Sequence, residues 1–209
     1  MSMYDQTLRG FLKEAASKAP TPGGGSVAAV AAALGASMGS MVARLTQGPR
    51  FAAVQAEMTD LAERMERAIA ELEHVLQQDI DAFGQYMAAL GLPKASEEEK
   101  ALRSKAMEAA AERSAEVPLG LMRQCSELMQ SLADILDKAN KNVISDLAIA
   151  MLMLEAAVQS AWITVEINLS GIKAEGVAEE YRERGLALIS QCQSLKMDAL
   201  HRVRLIIQG

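Results

Sequence analysis

Met58, Ala62, Met65, Ile69, Leu72, Leu76, Asp79, Phe83, Tyr86 and Leu90 follow one another at alternating steps of four and three residues. Steps of that size keep side chains on one side of a helix, the seam along which helices pack. A strand would need steps of two. The pattern therefore predicts a long helix that follows the break at Gly48-Pro49 and ends about Leu90, with most of its seam against other helices. Every seam position is apolar or aromatic except Asp79.

The rest of the chain agrees with that one helix. Half of the 209 residues are apolar but only 3% are aromatic. A core of Ala, Leu, Met, Val and Ile suits close-packed helices better than a sheet, which favours β-branched and aromatic residues. Asp5 can cap a first helix whose apolar face is Leu8, Phe11, Leu12, Ala15 and Ala16, ending before Pro20-Thr21-Pro22. A second helix starts near Ser26 and runs to about Leu45. In it Ala31, Gly35 and Gly39 form a smooth ridge that lets another helix approach closely. Ser96 and Glu99 make a capping box for a fourth helix. Pro118 removes one of its backbone hydrogen bonds and should kink or split it. "KANKN" precedes a fifth helix over roughly 143–169, and Gly171 to Gly176 leads into a last one ending near Ile207. No segment repeats. The expected fold is all-α: an antiparallel bundle of about six long helices, one domain over residues 1–209, dimeric because the fifth helix has more apolar face than one bundle can cover.

Charge and cysteine usage narrow the function. A net charge of -6 and a pI of about 5.1, with no basic stripe, argue against a nucleic-acid partner. Cys125 and Cys192 lack a CxxC partner, and His74 and His201 match no metal-ligand spacing, so a reduced, cytoplasmic chain without a metal is expected. The N-terminus lacks the pattern of a signal peptide. The uncharged stretch from Ala19 to Arg44 is rich in Ala, Gly and Ser and reads as a buried helix rather than a membrane span.

Three features point to a site. Asp79 is costly in an apolar seam unless it is paired, hydrogen-bonded or protonated; it is either a bridge to a neighbouring helix or an acid/base group with a raised pKa. Phe83 and Tyr86 share its face and could wall an aromatic ligand. "PTPGGGS" (20–26) feeds three glycines into a helix start, where free N–H groups and the helix dipole can hold an anion; a tight packing turn explains it equally well. "NKNVISD" gathers Asn140, Asn142, Ser145 and Asp146 at the start of the fifth helix, more polar groups than capping needs. Glu155 and Glu166 lie about 16 Å apart along that helix and read as the rim of a packing surface, and His74 as a surface residue.

The stretches "SKAPTPGGGSVAAVAAALGASMGSMVARLT", "DIDAFGQYMAALGLPK", "AEVPL" and "NKNVISDLAIAMLMLEAAVQSAWITVEINL" resemble the formiminotransferase-cyclodeaminase C-terminal domain family, which includes formiminotetrahydrofolate cyclodeaminases and methenyltetrahydrofolate cyclohydrolases. The resemblance covers nearly the whole chain. It implies an all-helical homodimer acting on a tetrahydrofolate that carries a one-carbon unit, with no metal and no organic cofactor. Asp79 takes the place of the family's acid/base aspartate. Gly23, Gly24, Gly25 and Ser26, with Thr21 just before them, take that of its ligand-binding loop. Asn140, Asn142 and Asp146 take that of its folate-facing cluster. Two positions depart from the pattern: Ala139 stands where a glycine is expected, and Pro49 where a basic residue is common, leaving Arg50 alone to meet an anionic tail. With no formiminotransferase segment present, a stand-alone cyclohydrolase is mildly favoured. The competing readings are a folate-binding bundle without catalysis and a structural dimerisation protein.

Overall fold

The computed structural model describes residues 3–209. Six α-helices follow one another: α1 (Leu8–Ala15), α2 (Gly24–Arg44), α3 (Gln55–Leu90), α4 (Glu97–Ile135), α5 (Ile144–Leu169) and α6 (Val177–Gln208). Short 3-10 turns precede α1, α3 and α5, and no strand occurs among the described residues. Neighbouring helices run antiparallel, as single contacts establish. The start of α2 meets the end of α3 through Ser26 and Asp79, and Arg64 of α3 reaches Ser131 of α4. Asn168 of α5 reaches Ser114 of α4, and Glu155 of α5 pairs with Lys196 of α6.

The apolar α5 lies among α2, α4 and α6, which explains why its sequence is apolar on nearly every side. Small residues set the closeness of that packing. A Cβ on Gly35 would come within 2.8 Å of Leu154 on α5, and one on Gly39 within 3.1 Å of Leu132 and Met65. The α2 ridge therefore takes neighbours on two sides. Both α2 and the segment Lys141–Leu169 are long and apolar enough to cross a membrane, yet more than half of each is buried within the bundle.

Several expected boundaries shift, each for a local reason. Asp5 sits in a 3-10 turn, and Thr7 caps α1 instead by accepting the Gly10 N–H at 3.0 Å. Of the expected α1 face only Phe11 is buried; Leu8 and Leu12 are exposed. Helix α2 begins at Gly24, with Gly23 as its cap, so the glycines form its first turn rather than a loop before it. The Ser96–Glu99 capping box is present. Helix α4 is not split at Pro118. The Ser114 carbonyl, which a residue with an N–H at 118 would have bonded, accepts instead from the Asn168 side chain at 3.4 Å.

The seam of α3 stays in the core only as far as Leu76. Beyond it the buried positions become Ala82 and Ala89, and Leu90 is 43% exposed. A straight helix turns about 20° per heptad against a seven-residue pattern. Asp79, Phe83 and Tyr86 are thereby rotated out of the core to its edge, where they are half-buried. Glu155 is buried and bonded to Gln159 and Lys196, whereas Glu166 is exposed. The two glutamates do not form one rim.

Helix α6 docks through Gly185, where a Cβ would overlap the ring of Trp162. Gly185→Val should lower the unfolding free energy by about 1–3 kcal/mol through overpacking. Urea unfolding followed by the fluorescence of Trp162, the chain's single tryptophan, would measure both the loss and the displacement of the indole.

Candidate functional site

Asp79 lies where the end of α3 crosses the start of α2. Its Oδ2 accepts the Ser26 hydroxyl at 2.7 Å, and the Ser26 backbone also bonds its carboxylate. Asp79 thus caps α2 from another helix and occupies the positive end of that dipole. A Cβ on Gly25 would overlap the Asp79 carboxylate. Only glycine lets the two helices meet in this way, which is a specific reason for one of the three glycines. Gly24 has nothing within 4 Å of where its Cβ would stand, and Gly23 only the Pro20 carbonyl at 3.6 Å. Those two leave an open approach to the helix terminus.

The approach opens into a cleft of about 400 Å³, within the size range of small-molecule sites. Thr21 and the three glycines line one side, Asp79, Ala82, Phe83 and Tyr86 a second. Ser114 and Val117 of α4 with Thr164, Ile167 and Asn168 of α5 close the third. Phe83 and Tyr86 give that cleft an aromatic face beside Asp79.

Opposing influences set the charge balance at Asp79. A carboxylate at a helix N-terminus gains about 0.3–1 kcal/mol, up to ~2 in partly buried geometry, and such contacts lower its pKa. Here burial is the larger influence: it pushes the Asp79 carboxyl above its ordinary value, against the two Ser26 hydrogen bonds that pull it down. A cap alone would not leave the pKa raised. The carboxyl is a bridge between the two helices whose pKa lies above the usual aspartate range.

Asn140, Asn142 and Asp146 lie elsewhere. The Asn140 side chain donates to the Leu45 carbonyl at 2.9 Å, its backbone N–H to Thr46 Oγ1 at 3.0 Å, and its Oδ1 accepts from the Asn142 N–H at 3.1 Å. Asn140 thus latches the end of α2 to the start of α5. Asp146 is half-buried and Asn142 exposed, about 33 Å along α5 from Asn168. Within one chain this cluster does not reach the cleft. Arg50 also sits at that far end, with its guanidinium 5.6 Å from the Phe51 ring.

Sequence reasoning missed Ser114, Thr164 and Asn168. A signal existed: Pro118 frees the carbonyl four residues before it, and Asn168 is an amide near the end of a largely apolar helix. The Asn168 Nδ2 donates to the Thr164 carbonyl at 2.8 Å as well as to Ser114, so its Oδ1 is not used in either bond, and the residue lines the cleft. No three His, Cys, Asp or Glu side chains are gathered to hold a metal among the described residues.

The bundle thus sets one partly desolvated carboxylate, joined to a glycine-opened helix terminus, in the wall of a ligand-sized cleft. The sequence profile described as formiminotransferase-cyclodeaminase matches residues 7–186, and the chain belongs to that family. It is 36% identical over 192 residues to the methenyltetrahydrofolate cyclohydrolase of Methylorubrum extorquens, covering 91% of this chain and 92% of that protein. It is 34% identical over 194 residues to the formimidoyltransferase-cyclodeaminase of Rattus norvegicus, covering 92% of this chain but 36% of that longer protein. The crystal structure of formiminotetrahydrofolate cyclodeaminase from Thermotoga maritima superposes with a TM-score of 0.80 at 28% identity, covering 99% of this chain and 98% of that one.

The raised pKa of Asp79 has a thermodynamic signature. A carboxyl whose folded pKa exceeds its unfolded value contributes stability below the ordinary aspartate pKa of about 3.9 and loses it as pH rises through the folded value. Asp79→Asn should therefore match or exceed the parent in urea midpoint at pH 7. The gap should close as the pH falls towards 4, which a pH series of unfolding curves would check.

Proposed function

We propose that the chain is a folate one-carbon enzyme that hydrolyses 5,10-methenyltetrahydrofolate to 10-formyltetrahydrofolate, with Asp79 as the group that exchanges protons. The observation that carries this is the desolvated Asp79 carboxyl in the wall of a cleft that has an aromatic face and an open helix terminus. The match across nearly the full length of a named cyclohydrolase supports the choice of reaction.

In the first step the Asp79 carboxylate takes a proton from water as its oxygen bonds to the methenyl carbon. The resulting tetrahedral adduct then breaks its bond to N5. Asp79 returns the proton to N5, the adduct hydroxyl gives up its proton to solvent, and the formyl group remains on N10. A raised pKa suits both halves, because the same group must accept and then donate near neutral pH; a positioned carboxyl in such a role contributes about 10²–10⁴-fold. The steps are addition, elimination and proton transfer, and the proposal includes neither a metal nor an organic cofactor. Thr21, Gly23, Gly24 and Gly25 would face the ligand with backbone groups. The acceptor on Asn168 suits the donor-bearing edge of a pterin.

Ammonia release from 5-formiminotetrahydrofolate is the second reading, favoured by the close superposition on the Thermotoga maritima cyclodeaminase. N10 would attack the formimino carbon, and Asp79 would protonate the departing nitrogen. Incubating pure protein with each compound while following the methenyl chromophore separates the two. Under either reading Asp79→Asn should lower turnover at least ~10²-fold. Asp81→Asn, at an exposed position bonded to Gln77, should leave it unchanged. Equal losses in both variants would remove Asp79 from the mechanism.

We further infer a homodimer in a cytoplasmic setting, the latter supported by two buried, unpaired cysteines. Ile149, Leu152, Ile163 and Ile167 form an exposed stripe along α5, and Val27 and Leu34 are exposed on the adjoining α2. Asn142 and Ser145 continue the α5 stripe at its N-terminal end. Antiparallel pairing of α5 across a two-fold axis would bury the stripe and bring the polar end of one α5 to the cleft of the partner subunit. That pairing would give Asn142 and Asp146 a route to the ligand. Light scattering at micromolar concentration should return twice the 22.4 kDa chain mass, and Ile163→Lys should return the monomer.

A further inference from the structure

Hydroxyls on the helices of this bundle commonly bend back onto the carbonyl four residues earlier. Ser37 donates to Ala33 at 2.8 Å, Ser131 to Glu127 at 2.9 Å and Ser160 to Ala156 at 2.8 Å. Such a bond satisfies the donor without leaving the helix. The Ser26 hydroxyl instead crosses from α2 to α3 and donates to Asp79 Oδ2 at 2.7 Å. Ser26 is completely buried, whereas Asp79 is half-buried. The family resemblance groups Ser26 with the glycines of a ligand-binding loop, yet the cleft wall is made by Gly23, Gly24 and Gly25, with Ser26 behind them.

The two oxygens of the Asp79 carboxyl therefore differ. A Cβ on Gly25 would overlap Oδ1 but stand 3.0 Å from Oδ2. Oδ1 thus lies over a residue of the cleft wall, while Oδ2 is turned to a buried hydroxyl. Ser26 can donate to Oδ2 in either state of the acid, because a protonated carboxyl keeps one oxygen as an acceptor. The proton then belongs to Oδ1. The ionised form gains more from the bond, since a charge-assisted hydrogen bond is about twice as strong as a neutral one.

The charged groups around Asp79 are engaged or exposed elsewhere. Helix α2 has no charged residue before Arg44. On α4, Arg113 and Glu116 pair at 2.9 Å and line a different groove. Glu166 on α5 is exposed, as is Asp81 on α3, which is bonded to Gln77. Tyr86 is the other titratable residue of the cleft wall, and Lys94, Arg103 and Lys173 lie past it in a separate basin. Burial and Ser26 are the influences that set the Asp79 carboxyl.

We propose that Ser26 is a positioning residue for the reaction: its hydroxyl commits Oδ2 to the bundle and so makes Oδ1 the oxygen that exchanges protons with water and substrate. The proposal rests on the folate reading of the cleft, in which Asp79 is the proton-exchanging group. Ser26 itself touches no substrate. It fixes the plane of the carboxyl, and it offsets part of the burial that would otherwise hold the acid protonated when a base is needed.

The test is Ser26→Ala, which removes one oxygen and places a better helix former in the first turn of α2, so the variant should fold. The Asp79 titration, followed by carboxyl-carbon NMR of the labelled protein without substrate, should move up by about one pH unit. The acidic limb of kcat/KM against pH should move with it. Above that limb kcat should fall about 10-fold at unchanged KM, and the fall should vanish in an Asp79→Asn background, because both changes break one unit. A raised KM with an unmoved acidic limb makes Ser26 a ligand contact and overturns the proposal. An Asp79 titration that stays in place, or losses that add in the double variant, overturn it too, and all three outcomes leave the folate reading intact. Absence of turnover by the parent with either folate compound overturns that reading and the proposal together.

Discussion

The end of α3 and the start of α2 are joined by one carboxylate. Asp79 accepts hydrogen bonds from the side chain and the backbone of Ser26, and so satisfies a helix terminus that begins with glycines and has no side-chain cap of its own. Remove the acid and the first turn of α2 has only water to bond. Remove the glycine beneath it and the acid cannot lie there. The cleft exists because these two helix ends meet with no bulk between them, and burial outweighs the hydrogen bonds in raising the carboxyl's pKa. Packing and protonation depend on the same contact.

Long-range order in the bundle was legible because its signals are periodic. The steps of four and three along α3, the ridge of Gly35 and Gly39, and the Ser96–Glu99 box each report a local rule that tertiary packing did not override. What stayed hidden depends on angle and ends. A seven-residue reading of α3 keeps Asp79 in the core, whereas the true helical turn delivers it to the cleft. Asp5 and Thr7 are both good caps, and only the intervening 3-10 turn selects Thr7.

The candidate site was half visible for a related reason. Asp79, Phe83, Tyr86 and the glycines are close in sequence to obvious anomalies, so composition exposed them. Ser114 and Asn168 matter as a pair, and a pair from different helices leaves no mark on either segment alone. The Asn140 cluster shows the converse. Its residues are conspicuous in sequence, yet Asn140 is occupied in latching α2 to α5 at the end of the bundle opposite the cleft.

The overlap that a Cβ on Gly25 would make with Asp79 also couples the fates of two positions that are far apart in sequence. While the acid is present, position 25 tolerates no side chain. Once the acid is replaced by something shorter, the constraint vanishes, and alanine becomes the better residue there because it favours the helix by about 1 kcal/mol. Alanine at 25 would then close the route by which the acid could return. The order of events is fixed by geometry, so loss of the carboxylate in a descendant chain would be followed by a change that makes the loss permanent.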